Sequence, residues 1–218
     1  DHFGHGFMKY HPPRRDFINE RDYELYKDVV VGGYRYHDMM LQALLSRVDE
    51  DTTVILISDH GFHPDHLRPR SIPREPAGPA IEHRDFGIFV MIGPGVRKDE
   101  IVHGVSLLDI TPTVLTCFGL PVAADMDGKP VVNAFEKAPD IEYIDSWEDI
   151  PGDDGRHPSG HQMDAEAANE ALEQLIELGY VERPSGDASE AVARTERELK
   201  YNLARSYMDA DLYVEAQK

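Results

Sequence analysis

The sequence predicts an α/β fold in residues 1–137 and a helical segment after them. Two short apolar runs, residues 53–58 and 86–92, show no polar alternation. Such runs are typical of strands that are buried on both faces of a parallel sheet. Apolar residues with helical spacing precede the first run and follow the second, so the order is helix, strand, loop, strand, helix, which is an α/β pattern.

The elements follow one another from the amino terminus. Residues 1–15 hold three histidines, two glycines and a Pro-Pro pair, which predicts a loop. Residues 20–48 keep an apolar period close to 3.6 and predict one long helix, although the glycine pair at 32–33 weakens the pattern. Residues 62–82 are rich in proline, arginine and histidine, and they predict a long loop between the two strands.

Helix signals resume after the second strand. Ser106 followed by Asp109 is the sequence pattern of a capping box, so Asp109 is predicted to begin a helix rather than to bind a metal. That helix is expected to end near Gly119 and to bury Cys117 as a small apolar side chain. Residues 125–132 predict a turn that leads into a short strand.

The composition changes after residue 137. Residues 138–163 are rich in proline, glycine and acidic side chains, which predicts a linker, and residues 164–218 predict two helices. Residues 202–216 resemble the beginning of a tetratricopeptide helix pair, but a plain amphipathic hairpin explains the same spacing equally well. A single repeat cannot bury its own apolar face, so the repeat interpretation requires further repeats after residue 218.

Charge and cysteine content exclude several classes of protein. The 218 residues include 41 acidic and 22 basic side chains, giving a net charge of −19, which argues against binding of a nucleic-acid backbone by bulk attraction. The sequence has no apolar run of the roughly 20 residues that a membrane helix needs. One cysteine excludes an internal disulfide framework and suits a soluble protein of the reducing cytoplasm.

Carboxylates and imidazoles occur where the predicted strands begin and end. Asp59 and His60 directly follow the first strand, at the kind of strand end where sites form in open α/β sheets. Asp1 and His5 share one short glycine-containing segment, and His83 lies just before the second strand. These groups are ligands for zinc, and also for manganese or iron. Their number fits two divalent ions that clamp the attacking and leaving oxygens of a displacement at phosphorus.

Five short motifs occur in a specific order across residues 1–135. They are Asp1-x-x-x-His5, Ser58-Asp59-His60-Gly61-Phe62, His83 with Gly87-Ile88-Phe89-Val90 and Gly93-Pro94-Gly95, Leu108-Asp109-Ile110-x-Pro112-Thr113-x-Leu115, and Asp125-Met126-Asp127-Gly128. The order resembles the C-terminal half of the alkaline phosphatase superfamily, most closely its type I phosphodiesterase/nucleotide pyrophosphatase branch. The resemblance implies a mixed, mostly parallel sheet with flanking helices.

The resemblance also implies a binuclear metal site. Asp1, His5 and His83 match the ligands of one metal, and Asp59 and His60 match ligands of the other. Two divalent ions are therefore expected, zinc first, with manganese or iron as alternatives. His103 is a weaker alternative to His83, because His83 directly precedes the strand as in the family.

The nucleophile of the family is a Ser or Thr on a strand-to-helix turn, and no segment of this sequence matches it. We expect it upstream of Asp1, so no catalytic residue is assigned in this chain and residues 1–218 alone are expected to be inactive. Ser58 is not assigned, because strand alternation points it away from Asp59. Thr111 and Thr113 lie in a predicted structural helix.

The predicted function is hydrolysis of phosphate esters by a metal-dependent phosphodiesterase/nucleotide pyrophosphatase with a small substrate. Arg68 and His66, in the loop after the Asp59–His60 pair, are candidate substrate-binding residues because an arginine can hold a phosphate bidentately, although a solvated loop explains them as well. The alternatives are a sulfatase, a phosphonate hydrolase or a phosphoglycerate mutase of the same superfamily. A further alternative is a non-catalytic scaffold that presents tetratricopeptide repeats to a protein partner. An open sheet edge would also favour homo-oligomers.

Overall fold

The computed structural model describes residues 2–73, 78–153, 165–177 and 188–217. The chain divides into two compact units, and each is described by itself. The first unit comprises residues 1–50, 57–88 and 163–185, and the second comprises residues 51–56, 89–162 and 186–218.

The described residues mix helices with short strands, as an α/β sequence predicts. The helices are α1 (His2–Phe7), α2 (Glu20–Tyr26), α3 (Val29–Leu45), α4 (Ile110–Cys117), α5 (Ala165–Glu177) and α6 (Ala188–Asp209). The strands are β1 (Val54–Ser58), β2 (Gly61–Phe62), β3 (His83–Arg84), β4 (Ile88–Ile92), β5 (Val122–Ala123) and β6 (Tyr143–Ile144). They form three two-stranded sheets, namely β1 with β4, β2 antiparallel to β3, and β5 parallel to β6. The larger, mostly parallel sheet stays a prediction.

The first unit begins with helix α1, where the sequence predicts a loop. Gly4 and Gly6 both have helical backbone, so their role is not to supply unusual torsions. Gly4 is buried, and a Cβ atom added to it would overlap the ring of Phe62, whereas Gly6 has open space around it. The absence of a side chain at Gly4 therefore lets helix α1 pack directly on Phe62.

The long helix predicted over residues 20–48 is two helices, α2 and α3. Asn19 caps α2 by accepting a hydrogen bond from the Asp22 backbone N–H at 2.9 Å. The chain leaves α2 through Lys27 and begins α3 at Val29. Gly33 lies inside α3 and faces Phe3, whose ring comes within 3.0 Å of the position that a Cβ would occupy. The glycine therefore serves close packing and does not interrupt the helix.

The second unit has an apolar core around strand β4. The core consists of Met91, Val96, Val131 and Ala134, with Ile55, Phe89, Val102, Val105 and Phe135 packed against it. The other face of β4 is open, because Val90 and Ile92 are 49% and 52% exposed. The expectation of a strand buried on both faces is therefore wrong for β4, since its inward and outward residues alternate.

Asp109 connects helix α4 to the segment after it. Its carboxylate accepts hydrogen bonds from the backbone N–H of Ser106 at 2.9 Å and of Lys129 at 2.8 Å. The Thr113 hydroxyl donates to the Asp109 carbonyl and accepts from the Val131 N–H, at 2.6 and 2.9 Å. The predicted capping box is confirmed, and the same carboxylate also fixes a turn 20 residues away.

Two local expectations for the second unit need correction. Residues 125–132 are followed by a 3-10 turn, Val132–Ala134, and not by a strand. Cys117 is exposed, because it lies on the outer side of the last turn of α4. The Tyr207 hydroxyl in α6 donates to Asp127 at 2.9 Å, which ties that helix to the turn at residues 125–128. The tetratricopeptide interpretation and the proposed domain boundaries stay predictions.

None of the described helices is long and apolar enough to cross a membrane. Apolar side chains are nevertheless exposed along α3, where Tyr34, Met39 and Leu44 are between 64% and 68% exposed. The acidic linker predicted at residues 138–163 lies partly outside the described residues, and so does part of the helical segment predicted at residues 164–218.

Substitution of Asp109 by alanine should destabilise the protein by about 2–3 kcal/mol, because two partly buried backbone N–H groups lose the same acceptor. The free energy of unfolding from urea titration measures this. Asp109→Asn keeps one acceptor oxygen and should lose less. Asp125→Ala, an exposed aspartate in the same unit, is the control and should change stability by less than about 0.5 kcal/mol. Equal losses for Asp109→Ala and Asp125→Ala would contradict the assigned role.

The two glycines of α1 should respond oppositely to alanine. Gly4→Ala should destabilise the protein by about 1–3 kcal/mol, because the added methyl group displaces the Phe62 ring. Gly6→Ala should be neutral or stabilising by up to about 1 kcal/mol, because alanine favours the helix and meets no atom. Thermal unfolding of both variants tests the pair, and a destabilising Gly6→Ala would show that α1 is held in another way.

Candidate functional site

Three of the predicted metal ligands lie side by side in the first unit. The Nε2 atoms of His5 and His83 are 3.1 Å apart. The rings of His60 and His83 are stacked, with centroids 3.6 Å apart and planes 8° from parallel. The ring of Phe62 is steeply inclined to all three imidazoles, with centroid distances of 5.0–5.3 Å. The imidazoles therefore form one cluster on an aromatic support.

A small antiparallel hairpin brings the histidines together from distant parts of the sequence. Strands β2 and β3 pair so that Phe62 lies opposite His83. The His63 N–H donates to the Glu82 carbonyl at 3.0 Å and extends this pairing by one step. His60 immediately precedes β2, so the hairpin places it beside His83, and α1 adds His5 by packing Gly4 on the Phe62 ring.

Glu82 orients His5. Its Oε2 lies 2.9 Å from the His5 Nδ1, and the Glu82 side chain is 6% exposed. A carboxylate only accepts hydrogen bonds, so Nδ1 carries the proton and donates it. In the neutral imidazole this leaves the lone pair on Nε2, which faces His83. A carboxylate behind a metal-binding histidine commonly orients the ring in this way.

Arg68 holds Glu82 in place. The Arg68 Nη2 is 2.6 Å from Glu82 Oε1, and it also donates to the carbonyls of His5 at 2.9 Å and Gly4 at 3.3 Å. The arginine is only 3% exposed. Burial lowers the pKa of Arg68, and the Glu82 carboxylate opposes that shift. Arg68 therefore positions the backbone and the orienting carboxylate of His5.

The geometry of the imidazole pair fits a shared divalent ion. In this structure the 3.1 Å separation is a hydrogen bond, which His83 Nε2–H donates to His5 Nε2. Two nitrogens bound to one tetrahedral zinc lie about 3.3 Å apart, so an ion could replace the bridging proton with little movement of the rings. The His60 ring is stacked parallel to the His83 ring, and its Nε2 lies 3.8 Å from Asp59 Oδ1. Within the described part of the chain, no set of three or more His, Cys, Asp or Glu side chains is arranged to hold a metal ion. Asp1, the third ligand predicted beside His5 and His83, lies outside the described residues.

The remaining candidates divide into structural residues and cavity residues. Ser58 donates its hydroxyl to the His60 carbonyl at 2.7 Å, which explains it as a turn-forming side chain. Thr113 is fully buried in α4, and His103 is exposed and belongs to the second unit. The two predicted substrate-binding residues, His66 and Arg68, line one cavity of about 660 Å³ in the first unit.

Glu82 and Phe62 border the histidine cluster, although neither is among the site residues that the sequence predicts. Glu82 directly precedes His83, and this adjacency was the available signal, because a residue next to a ligand often borders the site. Phe62 lies within the Ser58–Phe62 motif, but an apolar residue after a ligand pair carries no chemical signal of its own. Their roles depend on the hairpin, which brings together residues about 20 positions apart.

Short stretches of the chain match two curated enzymes. An extracellular sulfatase SULF-1 homolog of Drosophila melanogaster is 28% identical over 90 residues, which is 38% of this chain and 7% of that protein. A 2,3-bisphosphoglycerate-independent phosphoglycerate mutase of Aeromonas salmonicida is 50% identical over 36 residues, which is 16% of this chain and 7% of that protein. No family model and no solved structure matches. Both enzymes belong to the alkaline phosphatase superfamily, whose sulfatases and phosphoglycerate mutases use divalent metals, and the similarity points to that superfamily without selecting a branch.

Proposed function

We propose that this chain is part of a metal-dependent hydrolase of phosphate esters, of the phosphodiesterase/nucleotide pyrophosphatase type. Asp1, His5 and His83 would hold one divalent ion, and Asp59 and His60 would hold a second. The observation that carries the proposal is the pair of Nε2 atoms 3.1 Å apart, with Glu82 behind His5. A preference for zinc follows from the imidazole ligands, with manganese or iron as alternatives.

The chain's own residues would prepare the site for ester hydrolysis. Glu82 keeps a proton of His5 on Nδ1, so that Nε2 of the neutral imidazole can act as a ligand. Phe62 fills the space beneath the three rings and limits their rotation. The bound ions would supply Lewis-acid stabilisation of the developing charge on the ester oxygens. The attacking hydroxyl would come from the region that we expect before Asp1.

The two enzyme relatives support a second candidate, a sulfatase or a phosphoglycerate mutase. A phosphonate hydrolase is a further possibility within the same superfamily. All of these enzymes act at a tetrahedral phosphorus or sulfur centre, so the same pair of metal ions could support each of these reactions. The nucleophile and its neighbours would distinguish among them, and substrate preference is the practical test.

A non-catalytic scaffold explains the buried charges less well. Arg68 and Glu82 are taken out of water, which costs several kcal/mol per ion before their mutual attraction is counted. Replacing such a pair by apolar side chains is often neutral or stabilising, so fold stability alone gives little reason to keep it. Its connection to His5 Nδ1 gives that reason, because the pair then determines which nitrogen of His5 is available as a ligand.

Zinc binding to the 218-residue chain tests the metal site directly. Calorimetric titration should show binding that His83→Ala or His5→Ala removes, and that Glu82→Gln weakens about 10–100-fold because the His5 ring loses its ionised partner. His103→Ala, an exposed histidine of the second unit, should leave the affinity unchanged. If the His83→Ala variant binds zinc as the unaltered chain does, His83 is not a ligand.

Substrate preference tests the reaction. A protein that also carries the region expected before Asp1 should hydrolyse a chromogenic phosphodiester, and a chelator should abolish the turnover. We expect the 218-residue chain to hydrolyse it negligibly, because none of its residues is assigned as the nucleophile. Faster turnover of a sulfate ester would favour the sulfatase alternative. No chelator-sensitive turnover of phosphodiester, phosphomonoester or sulfate ester would favour the scaffold.

A further inference from the structure

A second feature of the first unit is a cavity of about 660 Å³ between residues 11–17 and residues 64–70. Four arginines line it, namely Arg14, Arg15, Arg68 and Arg70. The volume falls in the range of small-molecule pockets. In a chain with 22 basic residues and a net charge of −19, four guanidinium groups around one cavity are a strong local concentration of positive charge.

The acidic side chains of the cavity do not neutralise these arginines. Asp16 and Asp65 are the two carboxylates in the lining. Asp65 is already engaged, because its Oδ1 accepts from the Leu67 N–H at 3.0 Å and lies 3.3 Å from His63 Nδ1. Glu82 behind the cavity is paired with Arg68 Nη2. Among the described residues, four guanidinium groups against three carboxylates leave an excess of positive charge, without counting any charge on the two histidines of the lining.

Several polar atoms of the lining are buried without a partner among the described residues. Arg68 Nη1 and Arg15 Nη2 are donors that have no acceptor there, and His11 Nδ1 also has no hydrogen-bond partner there. Only 3% of the surface of Arg68 is exposed, so bulk water cannot supply an acceptor for its Nη1. A buried unsatisfied donor costs about 1–3 kcal/mol, and more when it is charged. The positive charge of Arg15 also lowers the pKa of Arg68, in addition to the effect of burial.

A hydrogen bond joins the two segments that line the cavity. The Arg15 Nη1 donates to the Arg68 carbonyl at 3.4 Å, so the side chain of Arg15 contacts the backbone at Arg68. Arg15 and Arg70 both lie over the ring of Phe17, with guanidinium carbons 5.6 and 5.3 Å from the ring centroid. Phe17 therefore holds two guanidinium groups at the cavity by their faces, which leaves N–H groups such as those of Arg15 Nη2 available for a ligand.

We propose that this cavity binds an oxyanion group, a phosphate or a sulfate carried by a small molecule. Such a group supplies several acceptor oxygens to the planar forks of the arginines and offsets the excess positive charge. The site is separate from the histidine cluster in its ligands, and it shares with it only Arg68, which turns Nη2 toward Glu82. The inference does not depend on the metal site or on the proposed hydrolase activity.

Titration of the 218-residue chain with inorganic phosphate and with inorganic sulfate tests the proposal, in the presence of a chelator that removes metal ions. We expect calorimetry to give a Kd of about 1 mM or tighter for at least one of the anions. Arg15→Gln and Arg70→Gln should each weaken that binding by about tenfold or more. Arg35→Gln, an exposed arginine of α3 in the same unit, should bind as the unaltered chain does.

The variants also separate this site from the metal centre. His83→Ala should keep the anion affinity, because the titration is metal-free and His83 does not line the cavity.

Arg15→Gln and Arg70→Gln must retain the circular dichroism spectrum and melting temperature of the unaltered chain. Arg70→Lys is a second variant, which keeps the positive charge but lacks the planar guanidinium group. The tighter of the two anions identifies the group. No binding of either anion at about 10 mM, or equal losses for Arg35→Gln and Arg70→Gln, would overturn the proposal.

Discussion

The buried ion pair between Arg68 and Glu82 is the constraint on which the first unit depends. The two side chains meet at 2.6 Å, with only 1% and 6% of their surfaces exposed. The pair pays its desolvation cost by satisfying other groups as well, since Glu82 takes the His5 Nδ1 proton and Arg68 donates to the carbonyls of Gly4 and His5. Three segments that are far apart in sequence thereby share one hydrogen-bonded centre.

The position of the histidine cluster follows from this centre and from one aromatic ring. Glu82 ends the long loop and is followed at once by His83 in β3, so fixing the carboxylate also fixes the imidazole beside it. The pairing of His83 with Phe62 brings the ring under the cluster, and Gly4 allows α1 to pack on that ring. A change at Glu82 would therefore reach His5 through a hydrogen bond and His83 through the backbone.

Local patterns in the sequence were sufficient for the elements whose causes are local. The capping box at Ser106 and Asp109 was predictable because its hydrogen bonds join residues three positions apart. The strand at residues 54–58 was predictable because β-branched apolar residues favour extended backbone. Helix α1 was not predictable, since two glycines and a loop-like composition conceal a helix that is stabilised by packing on Phe62.

Residues of the candidate site were predictable from the sequence only where they lie within a recognisable motif. The order of short motifs identified His5, His60 and His83, and the structure gathers their rings although their predicted roles as ligands stay untested. Nothing local identified Glu82, because a glutamate in a polar loop is common and its meaning arises from the fold. The arginine cavity was missed for the same reason, since residues 11–17 and 64–70 are more than 45 positions apart.

Net charge is therefore a poor guide to the ligands of this molecule. At physiological salt, electrostatic interactions between exposed charges are largely screened beyond about 8 Å, so distant acidic residues contribute little to the potential at either site. What a phosphate or sulfate group would meet in the first unit is set by the groups within that distance, namely the arginines of the cavity and any ion held by the histidines. An excess of 19 negative charges argues against attraction of long polyanions by the whole surface, but it is compatible with a small anionic ligand bound where guanidinium groups converge.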